Sequence, residues 1–315
     1  MKRYIARRLL QGAVVMWMVA TAVFVIFRIV PGDPAAMTLG FDAPPEAYAA
    51  VRRQLGLDDP LFIQYFRWIG NLLRGDLGIA VTQRNTPVAD LVFPALLRTL
   101  ELATLSILVA VAIAIPLGMM AAIHESRWID HAIRFVTTLA FSMPTYVLAI
   151  GLLLVFADVW AVLPPGGYVT FGDDPVRHLK LLVLPVVTIG TVTAAPLTRF
   201  MRAGMLGVLQ ADYVRTARAK GVEEHRIRYR HAFRNAAIPL MTEVGVSFGM
   251  LVGGMVVIEQ IFAWPGLGWL MIQSILTRSF DVVQAAVLLS AAFFVVINLI
   301  VDIAYSKLDP RIARS

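Results

Sequence analysis

Residues 99–123 have the sequence TLELATLSILVAVAIAIPLGMMAAI, in which Glu101 is the one charged side chain. The hydrocarbon core of a bilayer is about 30 Å thick, and a helix of about 20 apolar residues crosses it. The stretch exceeds that length, and we expect its Pro116 to kink the helix. It therefore predicts a membrane-spanning helix.

The composition of the whole chain supports this interpretation. Of its 315 residues, 58% are hydrophobic and 16% are charged, whereas soluble domains have about 45–50% apolar and 25% charged residues. This deficit of charge excludes a soluble enzyme, a disordered chain and a nucleic-acid-binding module, although the net charge is +7. The absence of cysteine excludes disulfides, thiolate metal sites and cysteine nucleophiles.

Five further apolar segments are long enough to cross a membrane. They cover residues 9–30, 135–157, 179–198, 236–261 and 282–304. The apolar core of a signal peptide has only about 7–15 residues, so we expect the first segment to be a retained helix. The sequence predicts an all-α integral membrane protein with six transmembrane helices.

Lysine and arginine are distributed unevenly between the two sides of these spans. On one side the numbers of these residues are 4, 2, 9 and 3 in segments 1–8, 124–134, 199–235 and 305–315. On the other side they are 6, 1 and 1 in the segments 31–98, 158–178 and 262–281. Because cytoplasmic loops are enriched in lysine and arginine, we predict that both termini are cytoplasmic.

The predicted spans divide the chain into four parts. These are a cytoplasmic N-terminus with the first span (1–30), an extracytoplasmic, partly helical segment (31–98), a core of five spans with a cytoplasmic loop at 199–235 (99–304), and a cytoplasmic tail (305–315).

The extracytoplasmic segment contains two predicted helices. The first covers residues 46–55. The second begins at Asp59-Pro60, where aspartate is expected as the N-cap and proline as the first helical residue. It ends at Gly75.

Two common motifs of catalytic and cofactor sites are absent from the sequence. The sequence contains no G-x-x-x-x-G-K-[ST] phosphate loop and no H-E-x-x-H zinc motif. We therefore predict no catalytic residue, no metal site and no cofactor of this chain's own.

Glu243 is the one carboxylate placed well inside a predicted span. It could face an aqueous path or form a hydrogen bond within the helix bundle. Other ionisable residues lie near span ends, where we expect them to reach headgroups or water: Arg28, Glu101, Glu259 and Asp302.

Three glycines recur at intervals of four in the predicted fifth span: Gly245, Gly249 and Gly253. Small residues on one face allow helices to approach closely in a membrane. The pattern predicts helix packing within this chain, or alternatively a subunit interface or pore lining.

The loop at 199–235 contains nine lysines and arginines in 37 residues and no proline. Within it, we predict a short helix from Asp212, a candidate N-cap, to Gly221, a candidate terminator. Its residues are Asp212, Tyr213, Val214, Arg215, Thr216, Ala217, Arg218, Ala219, Lys220 and Gly221. A slim cationic helix of this kind suits insertion into a cleft on a cytoplasmic protein.

The sequences DYVRTARAKG (212–221) and RHAFRNAAIPL (230–240) resemble the cytoplasmic coupling loop of permease subunits in binding-protein-dependent ABC importers. The similarity is greatest to the branch that imports peptides, with nickel and glutathione relatives. The general pattern of these loops is Glu-Ala-Ala, three residues and glycine. Here Arg215, Thr216 and Ala217 occupy the first three places.

Further motifs are similar to the B-type permease subunit of that branch. They are YIARRLLQG at 4–12, VPGDP at 30–34, LGLDDPL at 55–61, LLRGDLG at 72–78, EQIFAWPGLG at 259–268 and LDPR at 308–311.

The resemblance implies the type I ABC importer permease fold, in the cytoplasmic (inner) membrane of a bacterium or archaeon. It implies an alternating-access pore formed with a second homologous permease subunit, two cytoplasmic ATPase subunits that bind ATP and Mg²⁺, an extracytoplasmic substrate-binding protein and a short peptide substrate. Residues 212–221 would dock on one ATPase, and Arg215, Arg218 and Lys220 could pair with its acidic groups or remain solvated.

Two alternatives remain. The same architecture could import nickel or glutathione. A stand-alone secondary transporter is the other, but we find neither the internal repeat nor the mid-membrane charge pairs expected of one.

Overall fold

The computed structural model describes residues 2–29, 58–80 and 85–308, together with residues 44, 46, 48, 49, 52 and 83. Most of the predicted helix over 46–55, the motif at 30–34 and the C-terminal tail after Leu308 lie outside the described residues.

The described residues are almost all helical, and the fold is all-α. The helices are α1 (Lys2–Ile29), α2 (Leu61–Leu73), α3 (Val88–Ile123), α4 (Trp128–Ser142), α5 (Thr145–Leu153), α6 (Pro175–Leu209), α7 (Asp212–Ala219), α8 (Glu224–Arg226), α9 (Phe233–Gly254), α10 (Val256–Ile261), α11 (Leu267–Leu276) and α12 (Phe280–Leu308). Two π-helical turns, Leu154–Val159 and Ile227–Ala232, follow α5 and α8. Strands β1 (Ile79–Ala80) and β2 (Thr86–Pro87) form one antiparallel pair.

In the described part of the chain, five helices are long and apolar enough to cross a membrane: α1, α3, α6, α12 and α9 with the turns before it. A sixth span is obtained if the bent pair of α4 and α5 counts as one. This agrees with the predicted fold class.

The third span, predicted over 135–157, is a bent pair of helices. Its two halves, Trp128–Ser142 and Thr145–Val159, meet at 96°. Met143 has an extended conformation with a ψ of 126°, because the ring of a following proline disfavours the helical region. Pro144 also lacks the N–H that would continue the helix.

The fifth span begins and ends earlier than predicted, since it covers Glu224–Gly254. It ends at Gly254, and Met255, with a ψ of 0°, separates it from α10. Apolar residues continue through this break, so hydropathy does not mark it. The second and fourth spans are longer than predicted, since residues 88–98 and 199–209 belong to α3 and α6.

Helix α2 begins one residue later than predicted. Pro60 occupies the N-cap position, and no side chain caps the helix there. The carboxylate of Asp59 instead forms an ion pair of 2.7 Å with Arg67. Tyr65 of α2 packs against Phe24 of α1, with their ring centroids 5.3 Å apart.

Helices α3 and α6 form the centre of the molecule and have the most extensive packing of any helix pair. Ala110 and Ala114 of α3 are fully buried, and a Cβ added at Gly118 would lie only 2.6 Å from the Cβ of Met201. Small residues therefore bring these two helices close together. Helices α1 and α12 pack against each other at the periphery.

Candidate coupling site

Helix α7 follows α6 after only Gln210 and Ala211. It forms where the sequence predicts a helix, but Ala211 rather than Asp212 is its N-cap. The carboxylate of Asp212 makes no capping hydrogen bond and lies 3.5 Å from Arg215 Nη1. Its negative charge in the first turn still interacts favourably with the helix dipole.

The C-terminal end of α7 has the geometry that glycine favours. Gly221 has a φ of +78°. The N–H of Val222 donates to the carbonyl of Ala217 at 3.1 Å, and that of Gly221 donates to Arg218 at 3.0 Å. This pair of bonds is the Schellman motif, which ends a helix and turns the chain away from it.

Two residues of α7 attach it to the rest of the protein. Val214 is fully buried. The hydroxyl of Tyr213 accepts a hydrogen bond of 2.8 Å from Asn235 Nδ2 in α9. Because α7 also directly follows α6, it is held by both neighbouring spans.

The cations of α7 have different environments. Arg218 Nε donates to Glu224 Oε1 at 2.6 Å, and Arg228 Nε lies 3.3 Å from Glu224 Oε2. Arg218 is thus already paired within the chain and braces the turn between α7 and α8. Arg215 and Lys220 are exposed and present their charge to the surroundings.

The face of α7 that is open to a partner combines charge with small side chains. Asp212, Arg215, Thr216, Ala219 and Lys220 are exposed. Ala217 is half-buried, and no atom lies within 4 Å of a Cβ built on Gly221.

The three glycines of the fifth span have different neighbours. A Cβ on Gly245 would overlap Val301 of α12, and one on Gly249 would lie 3.2 Å from Phe294 of the same helix. Gly253 has no atom within 4 Å of an added Cβ.

Residues 245–249 also match the motif G-x-S-x-G, which in hydrolases places a nucleophilic serine on a sharp turn between a strand and a helix. Here the five residues lie inside α9, so the motif does not form that turn.

Glu243 of α9 is half-exposed. It makes no hydrogen bond or ion pair with another residue of the described part of the chain. Among the described residues, no group of three or more His, Asp or Glu side chains is placed to hold a metal ion.

Glu259 does not reach headgroups or water as predicted, because it is fully buried. Its Oε1 accepts from Thr99 Oγ1 at 2.6 Å, and its Oε2 accepts from the N–H of Trp269 at 2.8 Å. Thr99 Oγ1 in turn accepts from the N–H of Leu267 at 2.8 Å. The carboxylate therefore accepts a hydrogen bond from the first turn of α11 and, through Thr99, connects that turn to α3.

Other predicted end-of-span charges are also paired. Glu101 lies 2.8 Å from Nε2 of the buried His178, and Asp302 lies 3.2 Å from Arg8. A further pair, Asp130 and Arg202, was not predicted, and its side chains are 2.7 Å apart. No local pattern signals a contact between residues so distant along the chain.

Comparisons with known proteins extend over nearly the whole chain. The family model "Binding-protein-dependent transport system inner membrane component" matches residues 114–314, and its N-terminal counterpart matches residues 1–108. The glutathione transport system permease protein GsiC of Escherichia coli O6:H1 is 39% identical over 312 residues, which are 99% of each chain. The oligopeptide transport system permease protein AppB of Bacillus subtilis is 39% identical over 321 aligned residues, again 99% of each chain.

Proposed function

This chain belongs to the family of inner membrane components of binding-protein-dependent transport systems, and on this basis we propose that it is the permease subunit of an ATP-driven importer of short peptides. It is a multi-pass protein of the bacterial inner membrane. It moves substrate by alternating access and catalyses no bond chemistry itself.

Permeases of this family work within ABC importers that also contain ATPases and a binding protein. For this chain we infer a second homologous permease subunit, two cytoplasmic ATPase subunits and an extracytoplasmic substrate-binding protein. ATP and Mg²⁺ bind to the ATPase subunits. Residues 99–304 form the permease core.

The geometry of α7 is the observation that carries this proposal. A buried Val214, the Tyr213–Asn235 hydrogen bond and the Arg218–Glu224 ion pair hold a short helix rigidly against two spans. Its exposed face has small residues, which allow close contact with a groove on an ATPase. The exposed Arg215 and Lys220 suit acidic groups there.

The mechanism follows from these attachments. When ATP closes the two ATPase subunits, the groove carries α7 with it. Since α7 is connected to α6 by two residues and to α9 by the Tyr213–Asn235 bond, both spans move with it. A rocking of these spans against the second permease subunit opens the path on alternate sides.

The two relatives favour a peptide substrate, since one is named for oligopeptides and the other for glutathione, itself a tripeptide. We propose short peptides as the substrate class. Glutathione is the alternative within that class, and nickel is the alternative outside it.

Reconstitution of the complex tests both the architecture and the substrate. The chain is purified with its partners, placed in lipid vesicles and supplied with the binding protein. We expect ATP hydrolysis and uptake to rise with a binding protein loaded with short peptides, and uptake to stop without ATP. Stimulation by glutathione alone or nickel alone would assign the substrate to that alternative. Uptake by this chain alone, without nucleotide, would refute the proposed function.

A further inference from the structure

Asp130 is a buried carboxylate on the first turn of α4. Its side chain is 1% exposed, and that of its partner Arg202 is 22% exposed. Arg202 Nε donates to Oδ1 and Nη2 donates to Oδ2, both at 2.7 Å, and the N–H of Ser126 donates to Oδ2 at 3.1 Å. Both carboxylate oxygens are therefore used, and two parallel bonds fix the relative orientation of the two side chains.

Arg202 lies close to the coupling helix. It belongs to the last two turns of α6, which ends at Leu209, and α7 begins at Asp212. A displacement of α7 therefore acts on the part of α6 that holds Arg202.

A second contact connects the other end of α4 to the same part of α6. The guanidinium of Arg199 lies 4.5 Å from the ring centroid of Phe141, and Phe141 is in the last turn of α4. Two arginines one turn apart on α6 thus hold both ends of α4.

Helix α4, all of which the structure describes, packs on α3 and α6 and buries few of its side chains. Its buried residues are Asp130 and Thr137, and the hydroxyl of Thr137 donates to carbonyl groups of α4 itself. Asp130 is therefore the one buried side chain of α4 that bonds to another helix. An ion pair is not needed for stability alone, because well-packed apolar residues often replace a buried ion pair without loss. Here its two parallel hydrogen bonds fix the orientation of α4 relative to α6.

We propose that Asp130 and Arg202 form a rigid joint that makes α4 move together with the inner end of α6, so that displacement of α7 reaches the bent third span. This inference rests on the proposed function of α7. Beyond the bend at Pro144, α5 contacts α10, so the joint also connects the coupling site to the outer side. Asp130 and Arg202 are positioning residues, since neither has to touch the substrate.

The first test measures coupling in the reconstituted complex. Asp130→Asn keeps the shape of the side chain but removes its charge, and Arg202→Lys keeps the charge but removes the two-bond geometry. We expect each variant to retain the ATPase subunits and to lower the peptide taken up per ATP hydrolysed by about tenfold, within the usual range of coupling between sites. Asp59→Asn is the matched control, because Asp59 forms an equally short pair with Arg67 that is exposed.

The result separates this inference from the proposed function. If both variants bind the ATPase subunits and take up as much peptide per ATP as the wild type, the proposed joint is refuted. The proposed role of α7 is not affected by that result. Failure of the proposed function would appear instead as normal uptake in variants of α7 itself.

A distance measurement tests the same joint without altering Asp130 or Arg202, and so remains possible if those variants fail to assemble. The chain has no cysteine, so spin labels can be attached at His131→Cys in α4 and Gly207→Cys in α6, both of which are exposed positions. In the otherwise unaltered complex we expect the same label distance with and without ATP. A distance that changes with ATP would show that α4 and α6 move separately and would overturn the joint.

Discussion

Gly221 determines how the chain leaves α7. Its φ of +78° lies in the left-handed region, which glycine adopts without strain and a β-branched residue does not. The hydrogen bonds from Gly221 and Val222 back to α7 depend on this conformation. The direction of the segment that leads to Glu224 therefore depends on this one residue.

We expect Gly221→Val to reduce peptide uptake strongly while the protein still inserts into the membrane. The left-handed conformation costs a residue with a Cβ about 1–2 kcal/mol, and the chain can relieve that strain by altering the end of α7. Uptake in cells and the amount of chain in the membrane fraction are measured together.

Gly75→Val is the matched control for this strain. Gly75 has a φ of +81° and likewise no atom within 4 Å of an added Cβ, but it follows α2 rather than α7. We expect its uptake to stay close to that of the unaltered protein. Equal uptake by the two variants would contradict the role assigned to α7.

At the scale of elements, the segment of α10 and α11 is held by polar groups as well as by apolar packing. The N–H groups of Leu267 and Trp269 belong to the first turn of α11, where helices leave N–H groups without partners. Thr99 Oγ1 and Glu259 Oε2 accept from them. Trp264 Nε1 adds a bond of 3.0 Å to the carbonyl of Arg98.

We expect Glu259→Ala to lower the Tm of the protein by several kelvin. The substitution leaves the buried N–H of Trp269 and the hydroxyl of Thr99 without their acceptor, and an unsatisfied buried polar group costs about 1–3 kcal/mol. Thermal unfolding of the detergent-solubilised protein measures this. Asp158→Ala is the control, because Asp158 is exposed, and an equal Tm for both variants would refute the anchoring role of Glu259.

The whole molecule is organised around α6. This helix has 35 residues, which corresponds to a length of about 50 Å, well beyond the bilayer core. Near its first turn His178 meets Glu101, and just beyond its last turn α7 begins. One helix therefore runs from the pair of His178 and Glu101 to the start of α7.

We expect α7 to be cytoplasmic and the start of α6 to be extracytoplasmic, as the distribution of lysine and arginine predicts. Single cysteines introduced as Lys220→Cys and Gly172→Cys test this, because both positions are exposed and the chain has no other cysteine. In spheroplasts, a membrane-impermeant maleimide should label Gly172→Cys. It should label Lys220→Cys only after permeabilisation. The reverse pattern would place the coupling helix outside and contradict the proposed function.

Most of the fold was predictable because hydropathy is a local property. Long apolar runs such as 99–123 predicted the spans, and helix signals predicted α2 and α7. The helix α7 was found within one or two residues of its predicted ends, while its coupling role and the orientation of the termini stay predictions. The break at Met255 was missed, because apolar residues on both sides conceal it.

The candidate site was predictable only in part. The motif at 212–221 indicated the helix, but the sequence did not show which of its three cations, Arg215, Arg218 and Lys220, are free to contact a partner. The structure distinguishes them, because Arg218 donates a hydrogen bond of 2.6 Å to Glu224, whereas Arg215 is only 3.5 Å from the fully exposed Asp212 and its side chain is 73% exposed. Lys220 is also exposed. Likewise, the structure places Gly245 and Gly249 against α12, a choice that the spacing of the glycines left open.

The sequence by itself determined the class of the protein, its family and the approximate places of its helices, because these depend on composition and on patterns within short stretches. The tertiary structure alone decided the bend angle at Pro144, the burial of Glu259 and the pairing of Asp130 with Arg202. These features depend on which helices come together. A buried charge between helices acquires its partner from residues far away along the chain, and only the packed bundle brings the two within hydrogen-bonding distance.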